Sequence, residues 1–365
     1  MAIQNFRKMG KSRNKRHKKT SLALKIIVAI IFILLAIGIN KGYKMYSYIY
    51  QPNVVLEGKE SAYFFIPTGS TMKEVVQKLY EKNYIINRAS FEWLAEKKNY
   101  ENHVIPGRYY IKDNMSNNEL INLLRSGRQE PVMLTFTHVR TKEKLASIVS
   151  KQLEADSAEI AGLLNDKNFL AKYNVSPETA TVFFIPNTYE FYWDTSAKEF
   201  IDRMYSEYEK FWTDERLKKA EKLGKTREEI ITLASIVQEE TGINKEKPRI
   251  AGVYLNRLEK GIRLQADPTV KYAAGDFSIR RVLNKHLKID SPYNTYRYAG
   301  LPPGPINLPS VSSIDAVLNS EKHDYLYFCA KDDFSGYHVF SKTLRQHNIN
   351  ARKYRKALNK RKIYK

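Results

Sequence analysis

Residues 226–242 read TREEIITLASIVQEETG, and this stretch constrains the fold more than any other part of the chain. Thr226 followed by Glu229 is a capping box, which predicts that a helix begins here. The apolar residues that come next recur at helical spacing and are Ile230, Leu233, Ala234 and Val237. The stretch therefore predicts a helix that buries one face.

Glu240 continues this buried face at the end of the predicted helix, whereas Glu239 points elsewhere. We expect Gly242 to cap the helix. A carboxyl group beside apolar surface loses hydration, which raises its pKa, and a general acid that works near neutral pH needs that change. The plainer interpretation is a solvated or ion-paired glutamate, since catalytic residues are a small minority of charged residues.

Three loops rich in polar, proline or glycine residues follow this helix. They are residues 264–269 (LQADPT), 291–296 (SPYNTY) and 300–306 (GLPPGPI). Aromatic faces stack on sugars and amides pair with hydroxyl groups, so these loops suit a groove that binds a glycan. For each loop taken singly, the alternative is that its proline and glycine residues are ordinary turn formers.

An apolar run near the N-terminus is long enough to cross a membrane. Residues 22–39 read LALKIIVAIIFILLAIGI, with Lys25 as the single charge, and about 20 apolar residues span a bilayer. A cleaved signal peptide and a buried core helix are the alternatives. Because no small-residue cleavage site follows the run and a basic block precedes it, we predict a retained transmembrane helix.

The basic residues before this helix set its predicted orientation. They are Arg7, Lys8, Lys11, Arg13, Lys15, Arg16, Lys18 and Lys19. The positive-inside rule places these residues in the cytoplasm. Everything after about residue 40 then lies on the outer side of the cell membrane. The net charge of +22 therefore does not indicate nucleic-acid binding, because the exported part never meets the chromosome. An interfacial aromatic belt is predicted from Tyr43, Tyr46, Tyr48 and Tyr50.

Short strands interspersed with helices predict an α+β fold for the exported part. The predicted segments are a basic tail over 1–20, a transmembrane helix over 21–40, a linker over 41–57, a small α+β unit over 58–130 and a larger α+β domain over 131–365. Within the larger domain we expect helices over 160–173 and 196–220. Cys329, the one cysteine, lies in a predicted buried strand, so no intramolecular disulfide is possible.

The C-terminal tail is also basic, and Tyr354, Leu358 and Ile363 give it one apolar side as a helix. A charged helix in solvent is the plain interpretation. Contact with anionic lipid or with a cell-wall polymer is the alternative.

Several of these motifs together resemble one family. Residues 233–241 (LASIVQEET) are similar to the catalytic helix of the MltG (YceG-like) endolytic murein transglycosylases. The other similar segments are residues 256–258, 264–269, 293–296, 300–306, 338–341 and 347–348. The resemblance covers the whole chain after the membrane span, and several long motifs in a fixed order are far more specific than any one of them.

The resemblance implies that Glu240 is the catalytic residue, because the family's glutamate just before threonine has that role. Many relatives read Glu-Lys-Glu-Thr, whereas Gln238 stands at the first of these positions here. The resemblance also implies that residues 58–130 form a LysM-like subdomain and that residues 131–365 form the YceG-like catalytic domain.

The implied activity is endolytic cleavage of peptidoglycan between MurNAc and GlcNAc, which ends the elongation of a nascent strand. Glu240 protonates the glycosidic oxygen and then takes the proton of the MurNAc 6-hydroxyl, which closes a 1,6-anhydro ring. No metal or organic cofactor is expected. Our candidates for substrate contact are Gln265, Asp267, Asn294 and Tyr296. The expected partners are glycan strands, membrane lipid around the N-terminal helix and peptidoglycan synthases.

Three other interpretations compete with this one. A second catalytic carboxylate at Asp267 permits a hydrolase instead of a transglycosylase. A non-catalytic peptidoglycan-binding or scaffold protein uses Glu240 as a structural residue. A serine or cysteine peptidase is disfavoured, because the chain has no G-x-S-x-G elbow and Cys329 lacks a reactive setting.

Overall fold

A computed structural model of the chain describes residues 22–361. The predicted basic tail over 1–20 and the last residues, 362–365, including Ile363, lie outside the described part. The described chain contains both helices and short strands, so the predicted α+β class is confirmed.

The chain folds into two compact units, each with its own hydrophobic core. Among the described residues, the first comprises those up to Ile105 together with Tyr109–Arg128, and the second comprises Pro106–Arg108 together with those from Gln129 onward. The main break between the two units therefore lies between Arg128 and Gln129.

The N-terminal helix α1 spans Leu22–Tyr50 and is longer than predicted. Its segment Leu24–Tyr50 is the one candidate membrane span within residues 22–361, with a mean hydropathy of 2.3 in its most apolar part. The predicted linker over 41–57 is wrong in its first part, which is helical. The reason is tertiary, because the ring of Tyr48 packs on Trp93 with centroids 5.9 Å apart.

The first unit surrounds a two-stranded sheet with helices. Its further elements are β1 Ser61–Ile66, α2 Met72–Glu81, α3 Arg88–Lys97, a 3₁₀ turn at Tyr100–His103, β2 Gly107–Lys112 and α4 Asn117–Ser126, with β1 beside β2. Capping boxes at Thr71 and Ser116 begin α2 and α4. Gly127 ends α4 with a left-handed φ of 64°, which favours glycine.

The second unit is larger and mostly helical, with two antiparallel strand pairs, β3 with β4 and β5 with β6. Its elements are β3 Val132–Phe136, α5 Lys142–Val149, α6 Ser157–Leu163, α7 Lys167–Ala171, a 3₁₀ turn at Ala180–Phe183, β4 Asn187–Phe191, α8 Ala197–Phe211, α9 Asp214–Lys222, α10 Arg227–Glu240, α11 Lys247–Glu259, α12 Asp267–Ala274, α13 Asn284–Leu287, α14 Val311–Leu318, β5 Tyr327–Ala330, β6 His338–Ser341 and α15 Leu344–Lys360.

Two helices that the sequence predicts as continuous are interrupted. Asp166 accepts hydrogen bonds from two backbone N–H groups and separates α6 from α7. Thr213 caps α9 in the same way, after Trp212 leaves the helical conformation at the end of α8. Short polar side chains satisfy the free N–H groups of a new helix, so they favour a restart over a continuation.

The C-terminal part of the second unit is less buried than predicted. Cys329 lies in strand β5 as expected, but it is only half-buried because β5 belongs to a two-stranded hairpin. Helix α15 packs against this hairpin. Tyr354 and Leu358 are half-buried on its inner side, as the apolar pattern predicts.

Helix α10 is the centre of the second unit. The residues from Ile230 to Val237 are all buried, rather than one face alone. The reason is that α10 packs against α11, α12 and α14 on different sides. A helix covered all round is held firmly by its neighbours, so it fixes the position of its last residue, Glu240.

Candidate active site

Glu240 is the last residue of α10 and marks the point where the buried helix reaches a more open surface. The residue as a whole is half-buried. Thr241 follows it in an extended conformation, and its side-chain oxygen accepts a hydrogen bond from the N–H of Ile243. The prediction that Gly242 caps the helix is wrong, because the helix ends on this threonine turn and Gly242 has no left-handed φ.

The Glu240 carboxyl group has one hydrogen-bond partner among the described residues. The phenol of Tyr254, on helix α11, donates to Glu240 Oε1 over 2.7 Å. Tyr254 is only 2% exposed, and its ring packs edge-on against Phe328 with centroids 5.8 Å apart. Burial raises the pKa of the Tyr254 phenol well above its usual value, so the phenol remains a donor at any working pH.

Burial of the Glu240 carboxyl group moves its pKa toward neutrality. Loss of hydration raises the pKa of Glu240 to about 7, while the hydrogen bond from Tyr254 opposes this rise. The negative charge of Asp267 raises the pKa further, and the positive charge of Arg257 lowers it. A carboxyl group that titrates near pH 7 suits general acid and base catalysis.

Asp267 is held in place by a tyrosine. Asp267 begins helix α12, whereas the sequence predicts a loop here. The Oδ1 atom of Asp267 accepts a hydrogen bond of 2.6 Å from the Tyr296 phenol. Asp267 is exposed and Tyr296 is half-buried. Burial and this bond raise the pKa of Tyr296, so it stays protonated. The two predicted contact residues thus form a hydrogen-bonded pair, and the negative charge of Asp267 acts on Glu240.

Buried threonines hold together the start of α12 and the loop around residue 295, which carry this pair. The Thr295 hydroxyl accepts from the N–H of Ala266 over 3.0 Å and lies 2.8 Å from the hydroxyl of Thr269. Both threonines are at most 1% exposed. Their bonds therefore fix the start of α12 against residues 294–296.

Asn294 is placed too deep to contact a substrate. The residue is fully buried, and its amide donates to the carbonyl groups of Leu287 and Ile289. Its Oδ1 accepts from the N–H of Tyr296 over 3.1 Å. The prediction that Asn294 contacts the substrate is therefore wrong, because its amide does not reach solvent. The side chain of Asn294 instead positions Tyr296.

Gln265 is exposed, and its backbone is strained. Its φ is +51°, a left-handed value that is uncommon for a side chain other than glycine, asparagine or aspartate. The N–H of Gln265 donates to the Thr295 carbonyl over 3.2 Å, which holds this conformation. Strain of this kind clusters at functional sites. The exposed amide is free to meet a ligand.

Glu239 turns away from Glu240 and forms a separate ion pair. Its carboxylate accepts hydrogen bonds from Arg140 at 3.0 Å and from the Asn307 amide at 2.9 Å. Arg140 also lies over the ring of Phe277, which is 38% exposed, at 5.0 Å from the ring centroid. These contacts agree with the prediction that Glu239 does not share the face of Glu240.

Gln238 links α10 to the segment before α14. Its Oε1 accepts from the N–H of Ser310 at 2.6 Å and from the Ser313 hydroxyl at 3.1 Å. Its Nε2 donates to the Leu308 carbonyl at 3.3 Å. The residue that departs from the pattern of many relatives therefore has a structural role, which uses both its donor and its acceptor.

Tyr254 and Arg257 belong to the site, although the sequence patterns did not single them out as site residues. Arg257 is 8% exposed and donates to the Leu326 and Leu264 carbonyls at 2.6 and 2.7 Å. Both residues lie on α11, three positions apart, and therefore share one face. The available signal was chemical, since a buried tyrosine or arginine needs a polar partner.

Comparison with known proteins identifies the family of this chain. Residues 64–353 match the YceG-like family, and the chain belongs to that family. A curated protein of Bacillus subtilis, named endolytic murein transglycosylase, is 32% identical over 324 residues, which cover 84% of this chain and 88% of the relative.

Two further relatives extend the comparison. A Streptococcus pneumoniae protein of the same name is 28% identical over 344 residues, which cover 84% of this chain and 61% of that protein. The crystal structure of a yceG-like protein from Listeria monocytogenes matches with a TM-score of 0.53 and 31% identity, over 80% of this chain and 99% of that one. The predicted family is therefore confirmed.

Proposed function

We propose that this chain is an endolytic murein transglycosylase whose catalytic acid and base is Glu240. The name of its curated relatives supports the activity. The observation that carries the residue assignment is a carboxyl group at the end of helix α10, whose residues 230–237 are all buried, with a pKa raised to about 7 by loss of hydration.

The proposed reaction uses this one carboxyl group twice. Protonated Glu240 gives its proton to the oxygen between MurNAc and GlcNAc, and the bond from MurNAc C1 to that oxygen breaks. The Glu240 carboxylate then takes the proton of the MurNAc 6-hydroxyl, while the oxygen of this 6-hydroxyl forms a bond to MurNAc C1. The products are a free GlcNAc 4-hydroxyl and a 1,6-anhydroMurNAc end, and the enzyme regains its proton.

Gln265, Asp267 and Tyr296 are the proposed substrate contacts, because they lie on two segments, the start of α12 and the loop around residue 295, which the Thr269–Thr295 bond joins beside Glu240. A protein that only binds peptidoglycan has no need of a carboxyl group that titrates near pH 7. The raised pKa of Glu240 and the name of the curated relatives therefore both favour the enzyme over the scaffold alternative.

The remaining parts of the proposal concern location and partners. Helix α1 anchors the chain in the cell membrane, and the basic residues before it favour a cytoplasmic N-terminus. The catalytic unit then meets nascent glycan strands outside the cytoplasm, with residues 58–130 helping to position them. Peptidoglycan synthases are proposed partners, on the strength of the family resemblance alone.

The test compares the full-length chain, purified in detergent, with Glu240→Gln on uncrosslinked glycan strands. Mass spectrometry reads the new chain ends. We expect internal cuts that end in 1,6-anhydroMurNAc with the wild type and none with Glu240→Gln. The matched control is Glu228→Gln, which removes a carboxylate from the first turn of the same helix.

Other results lead elsewhere. Ends that are heavier by one water indicate a hydrolase and direct attention to Asp267. Strands that stay intact with both proteins, although both bind them, support the binding-protein alternative. Cleavage by Glu240→Gln at the wild-type rate refutes the assignment of Glu240.

A further inference from the structure

The two oxygens of the Glu240 carboxyl group have different surroundings. Oε1 accepts the 2.7 Å hydrogen bond from the Tyr254 phenol. Within residues 22–361, no donor lies within hydrogen-bond distance of Oε2. In a protonated carboxyl group the carbonyl oxygen is the better hydrogen-bond acceptor, so a bond from the phenol to Oε1 favours the proton on Oε2.

We propose that Tyr254 is a positioning residue for the reaction, whose phenol holds Glu240 Oε1 so that Oε2 is the oxygen that gives and takes the proton. This inference rests on the proposed function. It adds to that function a residue that is never in contact with the substrate and acts only through Glu240.

Tyr254 is itself held rigidly, as a positioning residue must be. Its ring is buried against Phe328, which belongs to β5. The start of α11 is pinned to β6, because the buried carboxylate of Glu246 accepts from His338 Nδ1 at 2.9 Å and from its backbone N–H at 2.8 Å. Arg257 attaches the same helix to the segment before β5.

Several charged groups influence the protonation of Glu240 besides Tyr254. Arg257 on α11 favours the carboxylate, whereas Asp267 on α12 and Glu239 on α10 favour the protonated form. Removing the phenol leaves all three in place. The Tyr254 hydrogen bond favours the carboxylate, so its loss raises the pKa of Glu240.

The first test is Tyr254→Phe in the full-length chain, which removes one hydroxyl and keeps the ring. We expect kcat for strand cleavage to fall about tenfold, with KM changed less than about twofold, because the lost bond orients the acid rather than the substrate. The alkaline limb of the kcat/KM profile is the pH range in which the rate falls as Glu240 loses its proton. We expect this limb to move up by about one pH unit. The matched control is Tyr189→Phe, which removes a phenol that donates to the Ile185 carbonyl at 2.6 Å.

A second variant changes the hydrogen bond without removing it. Tyr254→3-fluorotyrosine keeps the side-chain shape but makes the phenol more acidic and a stronger donor. The bond then favours the carboxylate more, so we expect the alkaline limb to move to lower pH. Opposite shifts of the alkaline limb in the two variants show that the hydrogen bond itself acts on Glu240. If the ring of Tyr254 has only a structural role, the alkaline limb shifts in neither variant.

Three outcomes are decisive. Opposite movements of the limb, with wild-type behaviour of Tyr189→Phe, support the inference. If Tyr254→Phe has the wild-type kcat and pH dependence, the inference about Tyr254 is overturned. The proposed function still stands in that case if Glu240→Gln is inactive. If Tyr254→Phe does not fold, an unchanged limb in Tyr254→3-fluorotyrosine overturns the inference, and a shift to lower pH supports it.

Discussion

The phenol of Tyr296 lies 2.6 Å from Oδ1 of Asp267 and donates a hydrogen bond to it. The bond holds an exposed carboxylate at the start of α12, where its negative charge raises the pKa of Glu240. The arrangement has two possible uses. Asp267 either adjusts the acidity of Glu240 or acts as a second catalytic carboxylate, and its substitution separates the two.

Asp267→Asn keeps the shape of the side chain and removes its charge. We expect the pKa of Glu240 to fall below about 7, so that the alkaline limb of the cleavage rate moves to lower pH. The variant should keep at least about a tenth of the wild-type rate and still form 1,6-anhydro ends. Rates at pH 5 to 9 and mass spectra of the products check both points.

The control for this variant is Asp290→Asn, because Asp290 also accepts a tyrosine hydrogen bond, from Tyr298 at 2.5 Å. A loss of activity in Asp267→Asn as complete as in Glu240→Gln contradicts the expectation. It assigns the second catalytic carboxylate to Asp267.

Glu240→Gln should change stability in a way that depends on pH. The folded-state pKa of Glu240 is raised from 4.5 to about 7, so its ionisation opposes folding. The wild type therefore loses stability as the pH rises from about 4.5 to 7, and glutamine does not share that loss. We expect the variant to gain about 1–3 kcal/mol relative to the wild type between pH 4.5 and 8.

Thermal unfolding of both proteins at pH 4.5 and pH 8 measures this difference, with Glu228→Gln as the matched loss of a carboxylate. A difference between wild type and Glu240→Gln that stays the same at both pH values contradicts a raised pKa at this position.

Gln238→Glu restores the first acid that many relatives have. In this chain it removes the donor to the Leu308 carbonyl and places an oxygen against it. We expect a loss of about 1–3 kcal/mol in the free energy of unfolding and a cleavage rate close to that of the wild type. Unfolding curves and strand cleavage measure the two effects.

The conservative control at this position is Gln238→Met, which loses donor and acceptor together. A rise in cleavage rate of tenfold or more in Gln238→Glu contradicts the structural role assigned to Gln238. It means that the carboxylate at this position takes part in the chemistry.

Gly252 allows helix α11 to approach the segment before β5. A Cβ atom at this position lies 2.5 Å from the Glu321 carbonyl oxygen, far inside van der Waals contact. We expect Gly252→Ala to cost about 1–3 kcal/mol of stability and to lower activity, because α11 carries Tyr254 and Arg257. Thermal unfolding and strand cleavage test this.

Gly162→Ala is the matched control, since Gly162 lies in helix α6 with no atom within 4 Å of its added Cβ. It should be neutral or stabilise the protein by up to about 1 kcal/mol. Equal stability of the Gly252 and Gly162 variants rules out the close approach as a constraint on α11.

Features that depend on neighbours in the chain could be predicted from the sequence. The capping boxes at Ser116 and Thr226, the left-handed Gly127 and the apolar face that leads to Glu240 are all contacts over a few residues. Such contacts form in the same way wherever the helix is placed, because the partner atoms are fixed by helical geometry.

Features that depend on distant residues were missed or misplaced. Helix α1 continues to Tyr50 because Tyr48 meets Trp93, and no local pattern shows that contact. Asn294 looked like a sugar ligand, yet its amide is consumed by two carbonyl groups in its own loop. Burial decides such roles, and burial is a property of the packed chain.

The long apolar N-terminal helix, the α+β class, the family and the choice of Glu240 as the candidate acid all follow from the order of residues in the chain. The groups that surround this acid are a property of the packed fold, and they are Tyr254 from α11, Asp267 from α12 and the charge of Arg257. Residue type and spacing specify what a side chain can do within its own helix. Its pKa depends on hydration and on charges that other elements bring to it, and these exist only once the helices have packed.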